Sequence, residues 1–128
     1  MWTVFSAKCP SRESLARIAN KWTAMIVILL DERPMRFSEL HGRIDGITKK
    51  VLVDTLRALE RDGMVEHVRE ADQHARYRLT ALGGTLREPL LALQVWAEAH
   101  VDEVLEARSE YDAVRDDEVL ARVDLRDP

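Results

Sequence analysis

The sequence predicts a mainly α-helical protein with one small β-hairpin and an extended C-terminal helix. Three observations point there. Apolar residues recur at helical spacing over most of the chain. The period switches to short β-prone runs only at Met64–Val68 and Tyr77–Leu79. With Gly 5 and Pro 4 among 128 residues, the chain lacks the turn chemistry of an all-β fold.

Pro10 suits the first turn of a helix, where its missing N–H costs nothing. Leu15, Ile18, Ala19 and Trp22 then share one helical face, with Asn20-Lys21 as the interruption. Trp22 to Asp31 is apolar nearly all round, which predicts a helix buried by the rest of the domain and ended by Pro34. Phe37, Leu40, His41 and Ile44 make a short third helix, and Asp45-Gly46 is a turn signal. Thr48 caps a fourth helix over 49–62, with Leu52, Leu56 and Leu59 inward and Gly63 at its stop.

A long polar loop joins the two strands of the hairpin. Thr80 is placed to cap a final helix opened by Gly83-Gly84, with the stripe Leu82, Leu86, Leu90, Leu93 and Ala97 continued by Val101, Val104 and Leu105. Pro89 inside that stripe predicts a kink or a break. Beyond Ala107 the chain is mostly charged, with Val119-Leu120 and Val123 predicting a short terminal helix.

A chain of 128 residues builds one core; it is too short for a barrel enzyme or a full dinucleotide-binding fold. The longest apolar run, Ala24 to Leu30, is far short of the roughly 20 residues that span a bilayer. No signal-peptide pattern precedes it, so the expected compartment is the cytoplasm. One cysteine excludes an internal disulfide framework and a cysteine zinc cluster. His41, His67, His74 and His100 lack metal-ligand spacing, and there is no phosphate loop, nucleophile elbow or triad. No cofactor, metal or enzymatic activity is expected.

The net charge of −4 hides an asymmetry. Residues 1–80 hold 14 basic against 11 acidic residues, net +3, and residues 81–128 hold 5 against 12, net −7. A mildly basic front and an acidic tail suit a protein that meets nucleic acid with one part only. They also suit two ordinary solvated surfaces.

Three helices followed by a hairpin is the order of a winged helix-turn-helix, in which the second helix of the pair enters the major groove. Opposite the leucine face of 49–62 lie Lys50, Asp54, Arg57 and Arg61, with Val53 beside them and Thr48 and Lys49 in the first turn. Lys50 has the reach for guanine, and Val53 suits a thymine methyl. Asp54 opposes phosphate yet accepts a hydrogen bond from cytosine. The hairpin, or wing, over 69–78 offers Arg69, Arg76 and Arg78 to the backbone, with Arg76 and Arg78 on the face away from Tyr77 and Leu79. Glu70 and Asp72 reduce its charge.

Several blocks then fall in a familiar order. They are Cys9-Pro10, Lys21-Trp22-Thr23, Arg36-Phe37-Ser38-Glu39-Leu40, Gly46-Ile47-Thr48-Lys49-Lys50-Val51-Leu52, Leu56-Arg57-Ala58-Leu59-Glu60-Arg61-Asp62-Gly63-Met64-Val65 and Tyr77-Arg78-Leu79-Thr80-Ala81-Leu82-Gly83. Together with Trp96 this resembles, over about residues 9–97, the HxlR-type (DUF24) winged helix-turn-helix regulators, relatives of the MarR group. The resemblance implies a homodimeric transcription regulator that binds a pseudo-palindromic operator in double-stranded DNA. The implied DNA-binding core is 9–80, with a helical dimerisation segment and acidic tail over 81–128. The DNA-contacting set on this reading is Ser38, Thr48, Lys49, Lys50, Val53, Asp54, Arg57, Arg69, Arg76 and Arg78. The family usually has a basic or amide residue near Asp54, and prolines in the wing where this chain has Gln73-His74-Ala75.

The first and last helices are the implied dimer contacts, with Leu86, Leu90, Leu93, Trp96, Ala97 and Val101 as the last helix's share. The same stripe also suits the domain's own core, its first turns inward and its later turns on the partner. Cys9, at a helix start between Lys8 and Arg12, is a redox- or electrophile-sensor candidate, because helix dipole and cations lower a thiol pKa. It would serve equally as a partly buried capping thiol. A small-molecule effector is the other candidate regulator, in a pocket that Trp22 lines with Trp2 and Phe5 at the dimer interface or in one between Trp22 and the last helix. The alternative from a different class is a winged helix used as a protein-interaction module, which Asp54, Glu70 and Asp72 favour.

Overall fold

The computed structural model describes residues 2–126, with side chains to Val123. The chain divides into two compact units, Met1–Leu91 and Ala92–Pro128. The first holds helices α1 (Pro10–Ile18), α2 (Lys21–Glu32), α3 (Phe37–Arg43) and α4 (Lys49–Arg61), strands β1 (Val65–Arg69) and β2 (Ala75–Leu79), and the four-residue α5 (Ala81–Gly84). Helix α6 (Arg87–Arg126) begins in it.

Local chemistry sets most boundaries. Asn20 caps α2 by accepting from the Trp22 amide at 2.8 Å. Helix α2 stops at Arg33, which is extended, because a residue before proline is steered out of the helical region. Its buried residues Thr23, Ile26, Val27 and Leu30 form the centre of the unit. Around them pack Leu40 of α3, Leu52, Leu56 and Leu59 of α4, and Val65 of β1. Trp22 lies against this core, half-buried.

The hairpin is antiparallel, registered from Val65↔Leu79 to Arg69↔Ala75. His67 and Tyr77 face each other across it, their rings stacked at 4.2 Å. One feature escapes the sequence pattern. Met35 exchanges both backbone hydrogen bonds with Tyr77, at 3.0 and 2.8 Å, so the segment before α3 pairs with the free edge of β2. This ties the wing to the helix-turn-helix.

The C-terminal expectations need three corrections. Gly83-Gly84 does not open the last helix; it closes α5, which Thr80 caps by accepting from the Gly83 amide. Pro89 neither kinks nor breaks α6, because it lies in the first turn, where proline is tolerated; the break precedes it, at Thr85-Leu86. No separate terminal helix forms around Val119, since α6 is continuous for 40 residues. Among the described residues, no helix is long and apolar enough to cross a membrane.

Candidate nucleic-acid interface

The α3–α4 turn is pinned from below. Ile44 and Ile47 are buried, while Asp45 and Gly46 between them are exposed. Gly46 has φ +84°, a left-handed conformation that a side chain would strain. Thr48 then starts α4 by accepting from the Val51 amide at 3.1 Å. With the leucines at 52, 56 and 59 essentially inaccessible, the helix can present only its other side.

That side carries Lys49, Lys50, Asp54, Arg57 and Arg61, all exposed, with Val53 half-buried among them. Among the described residues, none of these charged groups is in an ion pair. Three cations on one face, with Lys49 in the first turn beside it, are therefore available to an outside anion. Ser38 is exposed in the first turn of α3.

The wing is different. Asp72 takes Arg76 in a bidentate pair, at 3.1 and 2.9 Å. Arg36 approaches the same carboxylate at 3.6 Å. The hydrogen bonds from Arg76 and the His74 amide hold the Asp72 carboxyl well below the usual carboxylate range. Arg78 is paired with Glu66 at 2.6 Å, and Arg69 donates to the Gln73 carbonyl at 2.7 Å. Arg76 and Arg78 do share the face away from Tyr77, but each has a carboxylate on it. Glu66 and Asp72 are thus part of the wing's electrostatics; the cross-strand position Glu66↔Arg78 is the signal that would have found the first.

Cys9 is the N-cap residue of α1 and only 7 % exposed. That burial pushes the thiol pKa up. Hydrogen bonding with the Ser11 hydroxyl, 2.9 Å from Sγ, and with the Ser11, Thr3 and Arg12 backbone outweighs it and leaves the thiol lowered. The cause is these hydrogen bonds rather than the expected charges of Lys8 and Arg12, and the Arg12 guanidinium turns away to the Val4 carbonyl.

The expected dimer set divides. Leu90 is buried and Leu86 packs, half-buried, on the core of its own unit, as expected for the first turns of the stripe. Leu93, Trp96, Ala97 and Val101 are exposed. So is Leu15 on α1, which was expected to share the inward face of Ile18. Trp2 and Phe5 are largely exposed.

Two packed helices joined by a tight turn, followed by a wing, define a winged helix-turn-helix protein of the transcription-regulator class. The profile described as HxlR-like helix-turn-helix matches residues 17–105, and the chain belongs to that family. The uncharacterized HTH-type transcriptional regulator YtfH of Escherichia coli is 38% identical over 109 residues, 84% of this chain and 86% of that protein. The structure of YtfH from Salmonella typhimurium superposes with a TM-score of 0.77 at 33% identity, covering 85% of this chain and 99% of the other. The redox regulator HypR in its reduced form gives a TM-score of 0.65 at 32% identity, covering 77% and 98%. A MarR-family regulator is also structurally related. The protein is a transcription regulator, not an enzyme.

Proposed function

We propose that the protein works as a homodimer on a pseudo-palindromic operator, with α4 in the major groove and the wing against the flanking backbone. The supporting observation is the outward face of α4, where Lys50, Arg57 and Arg61, with Lys49 in the first turn, stand exposed and without an ion-pair partner among the described residues. Lys50 and Val53 lie near the N-terminal end that reads base edges, with Asp54 a specificity element toward cytosine. Thr48, Lys49, Ser38 and Arg57 contact phosphate and fix orientation. The wing arginines 69, 76 and 78 contribute less, because intramolecular partners already hold them.

Residues 9–80 read DNA on this proposal, and the segment after residue 80 holds two copies together. The exposed apolar groups Leu93, Trp96 and Val101 support that role, since scattered surface leucines need no explanation but an aromatic and aliphatic stripe does. Cys9 is the proposed control point, and the redox regulators among the relatives support it. Covalent modification of its thiol, or a small-molecule effector, would alter how the two copies meet.

The test is binding to a duplex from the chain's own upstream region against a scrambled duplex of equal length. Specific binding is expected, weakened on the order of 2 kcal/mol by Lys50→Ala with Arg57→Ala. Equal affinity for both duplexes would favour the protein-interaction reading, for which the neutralised wing argues.

A further inference from the structure

We propose that residues 93–123 of α6 form a parallel, in-register two-stranded coiled coil with a second copy of this chain. The proposal deepens the homodimer reading. It concerns mainly the stretch beyond residue 105, where the family match ends and the helix continues to Arg126.

From Leu93 to Val123 every apolar side chain larger than alanine is exposed except Val104, which is half-buried. A helix this long with no covered face is not stabilised by its own chain. Written as heptads, the inner positions are Leu93, His100, Ala107, Val114 and Ala121 at d, and Ala97, Val104 and Tyr111 at a. That seam is lean. Alanines recur in it, His100 is polar, and Glu118 occupies the next a position. Packing alone therefore specifies neither partner nor direction.

The flanking positions do. All three e positions from 108 on are arginine, namely Arg108, Arg115 and Arg122. The g positions before them are Glu103, Glu110 and Asp117. In a parallel pair, each g residue meets the e residue five positions on in the partner. This joins Glu103 to Arg108, Glu110 to Arg115 and Asp117 to Arg122, in both directions across the seam. In an antiparallel pair, e faces e and g faces g, so every such contact would be arginine on arginine or carboxylate on carboxylate. Within one chain these groups are five residues apart and do not share a helix face. Among the described residues, no ion pair inside the chain involves Arg108, Arg115, Glu103 or Glu110. Arg115 donates instead to the Tyr111 hydroxyl at 3.2 Å.

The acidic tail is then not featureless. Its carboxylates at g meet arginines, and the repulsion left over falls on the outer face. A parallel coil also has the two-fold symmetry that a palindromic operator requires of its reader.

The test uses the full chain with Cys9→Ser, so that each added cysteine is alone. Val114→Cys and Ala107→Cys, both at d, should each form a disulfide between two copies under oxidised glutathione, and Asp112→Cys, on the outer face, should not. Cross-linking at both d positions requires a parallel, in-register pair. Neither bond, only one, or equal bonding at Asp112→Cys overturns the coil. Independently, Arg115→Glu should weaken the dimer about tenfold in sedimentation equilibrium, and adding Glu110→Arg should restore it to within about threefold. Failure of the second change to restore it contradicts the proposal. A dimer that binds its duplex without either disulfide loses the coil and keeps the proposed function. A chain that cross-links as expected and binds no duplex does the reverse.

Discussion

Helix α4 and the wing carry similar numbers of basic residues, and they differ in what those residues are doing. On α4, Lys49, Lys50, Arg57 and Arg61 face solvent without a carboxylate partner among the described residues. On the wing, Arg76 is held by Asp72 and Arg78 by Glu66. A cation already neutralised brings little counterion release to a duplex, because its charge is cancelled before DNA arrives. Counting basic residues therefore overstates the wing and understates the helix.

The hairpin depends on a close backbone approach at its base. A Cβ on Gly83 would collide with the Met64 carbonyl, backbone that cannot swing aside. Gly83→Ala should destabilise the protein by about 2–3 kcal/mol in chemical denaturation, freeing the base of the hairpin while leaving the leucine face of α4 intact. A loss below about 0.5 kcal/mol would show that the hairpin base tolerates the shift.

The contrast between wing and helix sharpens when the wing is released. Asp72→Asn frees Arg76 and Arg36, so duplex affinity should rise by a few fold and its salt dependence should steepen by about one unit. Stability should change by about 1 kcal/mol or less, since Asp72 is solvent-exposed and Arg76 is only partly covered. Unchanged binding would place the wing off the duplex.

Acid offers a gentler version. Asp72 is held low by Arg76 and the His74 amide, and Glu39 by Arg33, 2.7 Å away, and the Arg36 amide. A carboxyl whose folded pKa is depressed adds stability that is full above its unfolded pKa and fades as pH falls through the folded value. The denaturation midpoint should therefore be flat from pH 8 to about 5 and fall below about pH 4, less steeply in Asp72→Asn with Glu39→Gln. The smallest effect is at Cys9, where alkylation by iodoacetamide should titrate below the ordinary thiol pKa of about 8.5, and closer to it in Ser11→Ala, which removes the hydroxyl's hydrogen bond and keeps those of the backbone.

Much of the helix-turn-helix was legible in the residues because its signals are local. Thr48, Gly46 and Pro34 act on their own backbone, and the leucine spacing of α4 needs only one partner surface. The rest is non-local. The Met35–Tyr77 pairing involves a single residue on one side and so has no period to detect. The ion pairs of Asp72 and Glu66 depend on hairpin register and rotamers. Leu15 shares a helix face with Ile18 in sequence, yet α1 is too shallowly seated to cover it. The continuity of α6 was obscured because its charged half has no single broad apolar stripe, so the usual criterion for a helix against a core does not apply.

The most direct test is the slope of log affinity against log salt for an operator duplex. Relative to the unmodified chain, Lys50→Ala with Arg57→Ala should lower that slope by about two units, and Arg76→Ala with Arg78→Ala by less than one. Equal slopes for the two double variants, or a larger drop from the wing pair, would contradict the account.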